Sequence, residues 1–237
     1  MPVQLEFFEG FKKYNVAYPS EPFAFGKSLC HWFPTRTRRA FVEVIKTLPE
    51  DAIYLELGSF LGAGSTLAAL ESHPTLLAYC VDLFHMQGVT ANKFRLNNEA
   101  TSAGEQCDYL QGKGTHLQHF LNNTWVHRSR VAAIQRQISA DFLSQLYTMG
   151  VRPDLILVDD DHQQQPVLSR LRSIARYWPE AIVLLDDHTD KWNGVRMAVA
   201  SAFDEGIYRQ EDSKLLANRL MKLNGSYLKH VDARPDK

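Results

Sequence analysis

The stretch "AIYLELGSFLGAGSTLAALESH", residues 52–73, decides the fold. It opens as a short apolar run, breaks at a turn rich in glycine, and resumes with apolar residues at helical spacing. Residues 52–59 read as a buried strand and residues 64–73 as a helix. The same alternation continues downstream. Strands are expected at 76–84, 130–137, 154–160 and 181–187, and helices at 115–127, 139–150, 165–178 and 194–206. A further helix at 35–48 precedes the first strand. Ser139 and Gly150 bracket one of these helices as N-cap and closing glycine. Strands that alternate with helices specify a parallel sheet covered on both faces, because each parallel connection needs a crossover. The closing segments 207–212 and 216–223 lie too close together for a crossover and are expected to pair antiparallel. The expected fold is α/β, a seven-stranded, mostly parallel sheet with helices on both faces and a C-terminal antiparallel hairpin.

The chain has 237 residues, 45% of them hydrophobic and 22% charged, enough for one domain, 1–237, to bury a core without staples. Its 26 basic and 27 acidic residues leave a formal net charge of −1, so no global basic field points to nucleic acid or an anionic membrane. Cys30, Cys80 and Cys107 are odd in number and lack metal-ligand spacing, which fits a reduced, cytoplasmic setting. No apolar run approaches the roughly 20 residues that span a bilayer. Residues 1–34 are aromatic-rich, broken by Pro19, Pro22 and Gly26, and read as an N-terminal cap segment. Residues 85–114 are polar, weakly periodic and long for an internal connection, which suggests a lid.

The glycine turn holds Glu56, Gly58, Ser59, Gly62, Gly64 and Ser65 between strand and helix. Glycines there let a ligand approach the backbone and leave helix N–H groups free to donate. The dinucleotide fingerprint G-x-G-x-x-G is absent, since three other residues separate Gly58 from Gly62. That spacing disfavours a nicotinamide dehydrogenase. The turn resembles instead the first motif of class I S-adenosylmethionine-dependent methyltransferases, which have a Rossmann-like fold. The resemblance implies that Glu56 helps hold the methionine end of the cofactor and that the glycines admit it. Asp82, ending the second strand in "YCVDLF", matches the acidic residue that takes the two ribose hydroxyls. Ser139 falls near the family's adenine contact.

Two further runs, "LILVDDDH" (155–162) and "AIVLLDDH" (181–188), end apolar strands in carboxylates and a histidine. Open α/β sheets bind ligands at the carboxyl ends of their strands. Five aspartates gathered there would repel one another, and no excess of Lys or Arg stands nearby in sequence to neutralise them. A hard divalent cation would do so. The pattern is similar to the metal-dependent O-methyltransferase branch, catechol-type and macrocin-type, over residues 35 to about 222. By that resemblance Asp159, Asp186 and Asp187 would ligate a divalent metal, Mg²⁺ in the branch. Asp160 reads as a helix cap instead.

Methyl transfer to a hydroxyl needs an aligned acceptor oxygen and a base for its proton. Asp161 occupies the position of the sugar-modifying branch's catalytic Asp. His162 stands where the catechol-type branch has Lys, and either residue could serve; Asp161 is preferred. His188, Trp192 and Asn193 follow the second run and could support or line the acceptor pocket. The resemblance thus implies a metal-assisted O-methyltransferase for a small molecule with a sugar, phenol or polyketide hydroxyl. Homodimerisation is open. Rival readings are a same-fold metal enzyme of the cephalosporin-hydroxylase-like type and a non-catalytic adenosyl-ligand-binding regulator.

Overall fold

The computed structural model describes residues 14–25, 33–85 and 113–224, which fall into two compact units, 1–138 and 139–237. The expected lid lies almost wholly outside the described residues, as do residues 1–13 and 26–32 of the N-terminal cap.

In the first unit, helix α1 (Thr35–Ile45) buries Phe41, Val44 and Ile45 along one stripe, as an amphipathic helix must. Strand β1 (Ile53–Leu57), helix α2 (Ser65–Ser72) and strand β2 (Leu77–Asp82) form the expected strand–turn–helix–strand unit. Helix α3 (His116–Thr124) opens on a capping box in which Thr115 and Gln118 exchange side-chain-to-backbone bonds. A 3₁₀ turn, Trp125–Arg130, leads to strand β3 (Val131–Gln135). All three strands pair parallel, β1 with β2 and β2 with β3. Their burial shows no in-out alternation; β1 and β2 are buried on both faces nearly throughout. That is the burial of parallel strands flanked by helices.

Residues 14–25 lie against β3 and α3. Asn15 makes an antiparallel bridge to Ile134, and the Val16 N–H donates to the Ala133 carbonyl at 2.7 Å. Asn122 accepts from the Phe23 N–H at 3.0 Å and donates to the Phe25 carbonyl at 3.0 Å. The segment thereby engages backbone groups of an edge strand.

In the second unit, Ser139 caps helix α4 (Ala140–Thr148), accepting from the Phe142 N–H at 3.1 Å. Strand β4 (Leu155–Val158), helix α5 (Gln164–Tyr177), strand β5 (Ile182–Leu185) and helix α6 (Asn193–Asp204) follow. Strands β6 (Lys214–Leu216) and β7 (Leu220–Asn224) close the chain. β4 and β5 are parallel, and β7 is antiparallel to both β5 and β6. Among the described residues the seven strands, mostly parallel with this antiparallel C-terminal pair, are the Rossmann-like complement expected.

The hairpin's first strand differs from expectation. Residues 207–212 do not form it; Ile207 and Tyr208 are core residues, and Gln210–Asp212 is a 3₁₀ turn. The strand begins at Lys214 because the hairpin turns at Ala217 and Asn218, both at positive φ (53° and 64°). That is the backbone of a tight hairpin turn, in which Asn is favoured.

Candidate functional site

The glycine turn of the first unit is braced from behind. Gly62 has φ +69°, and a Cβ there would lie 2.9 Å from Phe120 Cδ2 and 3.1 Å from Thr124 Cγ2. Its glycine therefore serves packing against α3 as well as backbone freedom. Asn123, also on α3, donates to the Leu61 carbonyl at 2.8 Å. Ser59 is buried, and Gly64 stands at the N-terminus of α2 immediately before Ser65.

Glu56 is wholly buried in β1, and its two carboxylate oxygens accept from the Ser65 and Thr66 hydroxyls. Burial raises its pKa from 4.5 to about 7, against the pull of those hydrogen bonds. Glu56 thus pins the first turn of α2 from inside the protein.

Asp82 is placed differently. Half-buried at the carboxyl end of β2, it accepts from the Phe60 N–H at 2.9 Å and the Phe84 N–H at 2.7 Å. Phe60 and Phe84 both hold positive φ, 46° and 47°, and each ring packs edge-on to His116 at 5.1 and 5.6 Å. Burial pushes the His116 imidazole below its usual value, while the Asp82 charge opposes that shift. A carboxylate oriented by two backbone donors, with lone pairs to spare, suits a vicinal diol. In the second unit, Ser139 spends its hydroxyl on capping α4.

The aspartates of the two runs divide into four kinds. Asp160 is paired with Arg170, whose Nε and Nη2 donate to Oδ2 at 3.1 and 2.9 Å. Burial raises its pKa, and Arg170 counters. Asp161, partly exposed, accepts from the Gln163 N–H at 2.8 Å, turning the chain into α5. Asp159, His162 and Asp187 form the third kind: one ligand atom from each lies within 4.8 Å of the others. His162 Nε2 is 2.7 Å from Asp187 Oδ2. That contact is a hydrogen bond, and an ion that displaced its proton would meet one imidazole and two carboxylates, donor types that divalent metals accept.

Asp186 lies outside that group. Arg219 Nε and Nη2 donate to its two oxygens at 2.7 and 2.8 Å, and Nη2 also approaches Asp187 Oδ1 at 2.5 Å. Burial opposes the Arg219 charge, but the hydrogen bond to Asp186 and the charges of Asp186, Asp187 and Asp159 hold its pKa up. No excess of Lys or Arg stands beside the runs in sequence, but in space Arg170 and Arg219 neutralise them in part. Arg219 lies 33 residues after Asp186 and reaches it because the β6–β7 turn returns the chain. There its carbonyl also accepts from the His188 N–H at 2.9 Å.

The His162 ring stacks on Trp192, with centroids 4.0 Å apart and planes at 25°. Gly194 presses against the same residue's backbone, where a Cβ would lie 2.2 Å from the His162 carbonyl oxygen. Asn193 turns away to Met197, donating to its sulfur at 3.3 Å. Burial lowers the His188 pKa.

The fold resembles that of a candidate rRNA methylase from Clostridium thermocellum, with a TM-score of 0.51 at 6% identity, over 83% of this chain and 98% of that one. An O-methyltransferase from Bacillus cereus in complex with SAH matches at a TM-score of 0.46 and 14% identity, over 94% and 91% of the two chains. A TDP-rhamnose 3'-O-methyltransferase of calicheamicin biosynthesis matches at 0.47 and 18%, over 79% and 76%. No family model matches the chain, nor does any curated protein sequence. At these identities the likeness establishes the fold and leaves chemistry to the residues.

Proposed function

We propose that this protein is an S-adenosylmethionine-dependent O-methyltransferase that methylates a hydroxyl of a small molecule with the help of a divalent metal. The observation that carries the metal-assisted reading is the convergence of Asp159, His162 and Asp187 at the carboxyl ends of β4 and β5. The donor reading rests on Asp82, whose carboxylate is oriented by the Phe60 and Phe84 N–H groups beside the glycine turn.

Under this reading the first unit holds the methyl donor. Asp82 accepts both ribose hydroxyls, and Gly58, Gly64 and the free N–H groups at the start of α2 receive its methionine end. Glu56 keeps Ser65 and Thr66 in place. The second unit handles the acceptor. Asp159, His162 and Asp187 would hold the ion, which supplies Lewis acidity that lowers the acceptor hydroxyl's pKa. Asp161 takes the hydroxyl proton. The acceptor oxygen forms a bond to the sulfonium methyl carbon as the carbon–sulfur bond breaks. The electron pair goes to sulfur, and the products are the methyl ether and S-adenosylhomocysteine.

Calorimetric titration of the donor and of S-adenosylhomocysteine tests this. Wild type is expected to bind both, and Asp82→Asn to lose roughly tenfold or more in affinity, one charge-assisted bidentate contact being removed. Folded wild type that binds neither ligand would remove the methyltransferase reading.

A further inference from the structure

We propose that the second unit selects a divalent transition ion that accepts imidazole, of the Co²⁺ class, over Mg²⁺, because Arg219 withholds Asp186 and His162 stands in its place. The inference rests on the metal reading above and specifies it.

Three observations lead there. First, Asp186 is committed. Arg219 grips it with two parallel donors at 2.7 and 2.8 Å, and its side chain is only 2% exposed. Pulling Asp186 away to serve a metal would strip the partly buried Arg219 guanidinium of both parallel bonds and leave it only its contact with Asp187, which is unfavourable. Arg219 is also held by its backbone, since its carbonyl accepts from the His188 N–H. Second, His162 is set in advance. Its Nε2 is hydrogen-bonded to Asp187 Oδ2 through a proton that an ion would displace, its ring lies flat against Trp192, and Gly194 lets α6 close on its carbonyl. A ligand fixed on three sides loses little freedom when it binds. Third, the donor set that converges is one nitrogen and two carboxylates, of which Asp187 is also approached by Arg219. Mg²⁺ wants an octahedron of oxygen and gives up water reluctantly, whereas imidazole suits the later first-row ions. Arg219 adds a positive charge beside Asp187, which weakens the purely electrostatic attraction on which Mg²⁺ depends most.

The test is metal titration by calorimetry, with the visible absorption of Co²⁺ as the report on its ligands. The proteins are wild type, His162→Asp, Arg219→Gln and Asp159→Asn, each verified as folded by circular dichroism. Wild type is expected to bind Co²⁺ far more tightly than Mg²⁺, and Asp159→Asn to lose both. His162→Asp, an all-oxygen set, should reduce the Co²⁺ to Mg²⁺ affinity ratio roughly tenfold or more and shift the Co²⁺ spectrum. Arg219→Gln should free Asp186 and raise Mg²⁺ affinity. If ions bind and Asp159→Asn abolishes binding, but His162→Asp changes neither ratio nor spectrum, this inference is overturned and the metal reading stands. If neither ion binds folded wild type, the metal reading itself fails, and Arg219 is then the cation that the aspartates were gathered for.

Discussion

Glu56→Gln removes a carboxyl whose charged form the fold disfavours. The wild-type group is fully buried, and burial raises its pKa from 4.5 to about 7. A raised folded pKa means that the native state binds the proton more tightly than the unfolded chain does. The stabilisation is therefore complete below about pH 4.5 and is lost as pH rises through 7. A shift of about 2.5 units corresponds to about 3 kcal/mol at 1.36 kcal/mol per unit. Glutamine keeps the shape of protonated glutamic acid, accepting from one hydroxyl of the Ser65 and Thr66 pair and donating to the other. Urea unfolding of both proteins between pH 4.5 and 8 isolates the effect, because every other titrating group is common to the two. Wild type should lose about 3 kcal/mol relative to the variant across that range. Stability profiles that run parallel, within about 0.5 kcal/mol, would show that Glu56 titrates as an ordinary carboxyl and would refute the burial argument.

Gly62→Ala should destabilise the first unit by about 1–3 kcal/mol in urea unfolding, from the left-handed backbone and the 2.9 Å approach to Phe120 together. An unchanged midpoint would mean that α3 gives way freely. Gly194→Ala puts a methyl 2.2 Å from the His162 carbonyl, where only backbone movement can relieve it. Co²⁺ affinity should fall roughly 10–100-fold, the scale seen when a metal ligand loses its support. Undiminished binding would argue that the loop carrying His162 is not positioned by α6.

The sequence by itself determined what depends on neighbours along the chain. Largely apolar runs within 52–59, 154–160 and 181–187 mark buried strands, and Phe41, Val44 and Ile45 mark a helix stripe. Glycines at 58, 62 and 64 mark a strand-to-helix turn, and the carboxylates Asp82, Asp159 and Asp187 follow strand ends where ligands are bound. These are local patterns of period and turn chemistry. Only the tertiary structure decided which charges meet. Arg219 reaches Asp186 across 33 residues because Ala217 and Asn218 take left-handed conformations and fold the hairpin back. Arg170 takes Asp160 from one face of α5. Gly62 is small for the sake of Phe120, 58 positions away. Glu56 is buried in space, and the hydroxyls of Ser65 and Thr66, nine and ten positions on, donate to it. A residue's type shows what it can do, but its partner is set by packing, and packing joins positions that no periodicity relates.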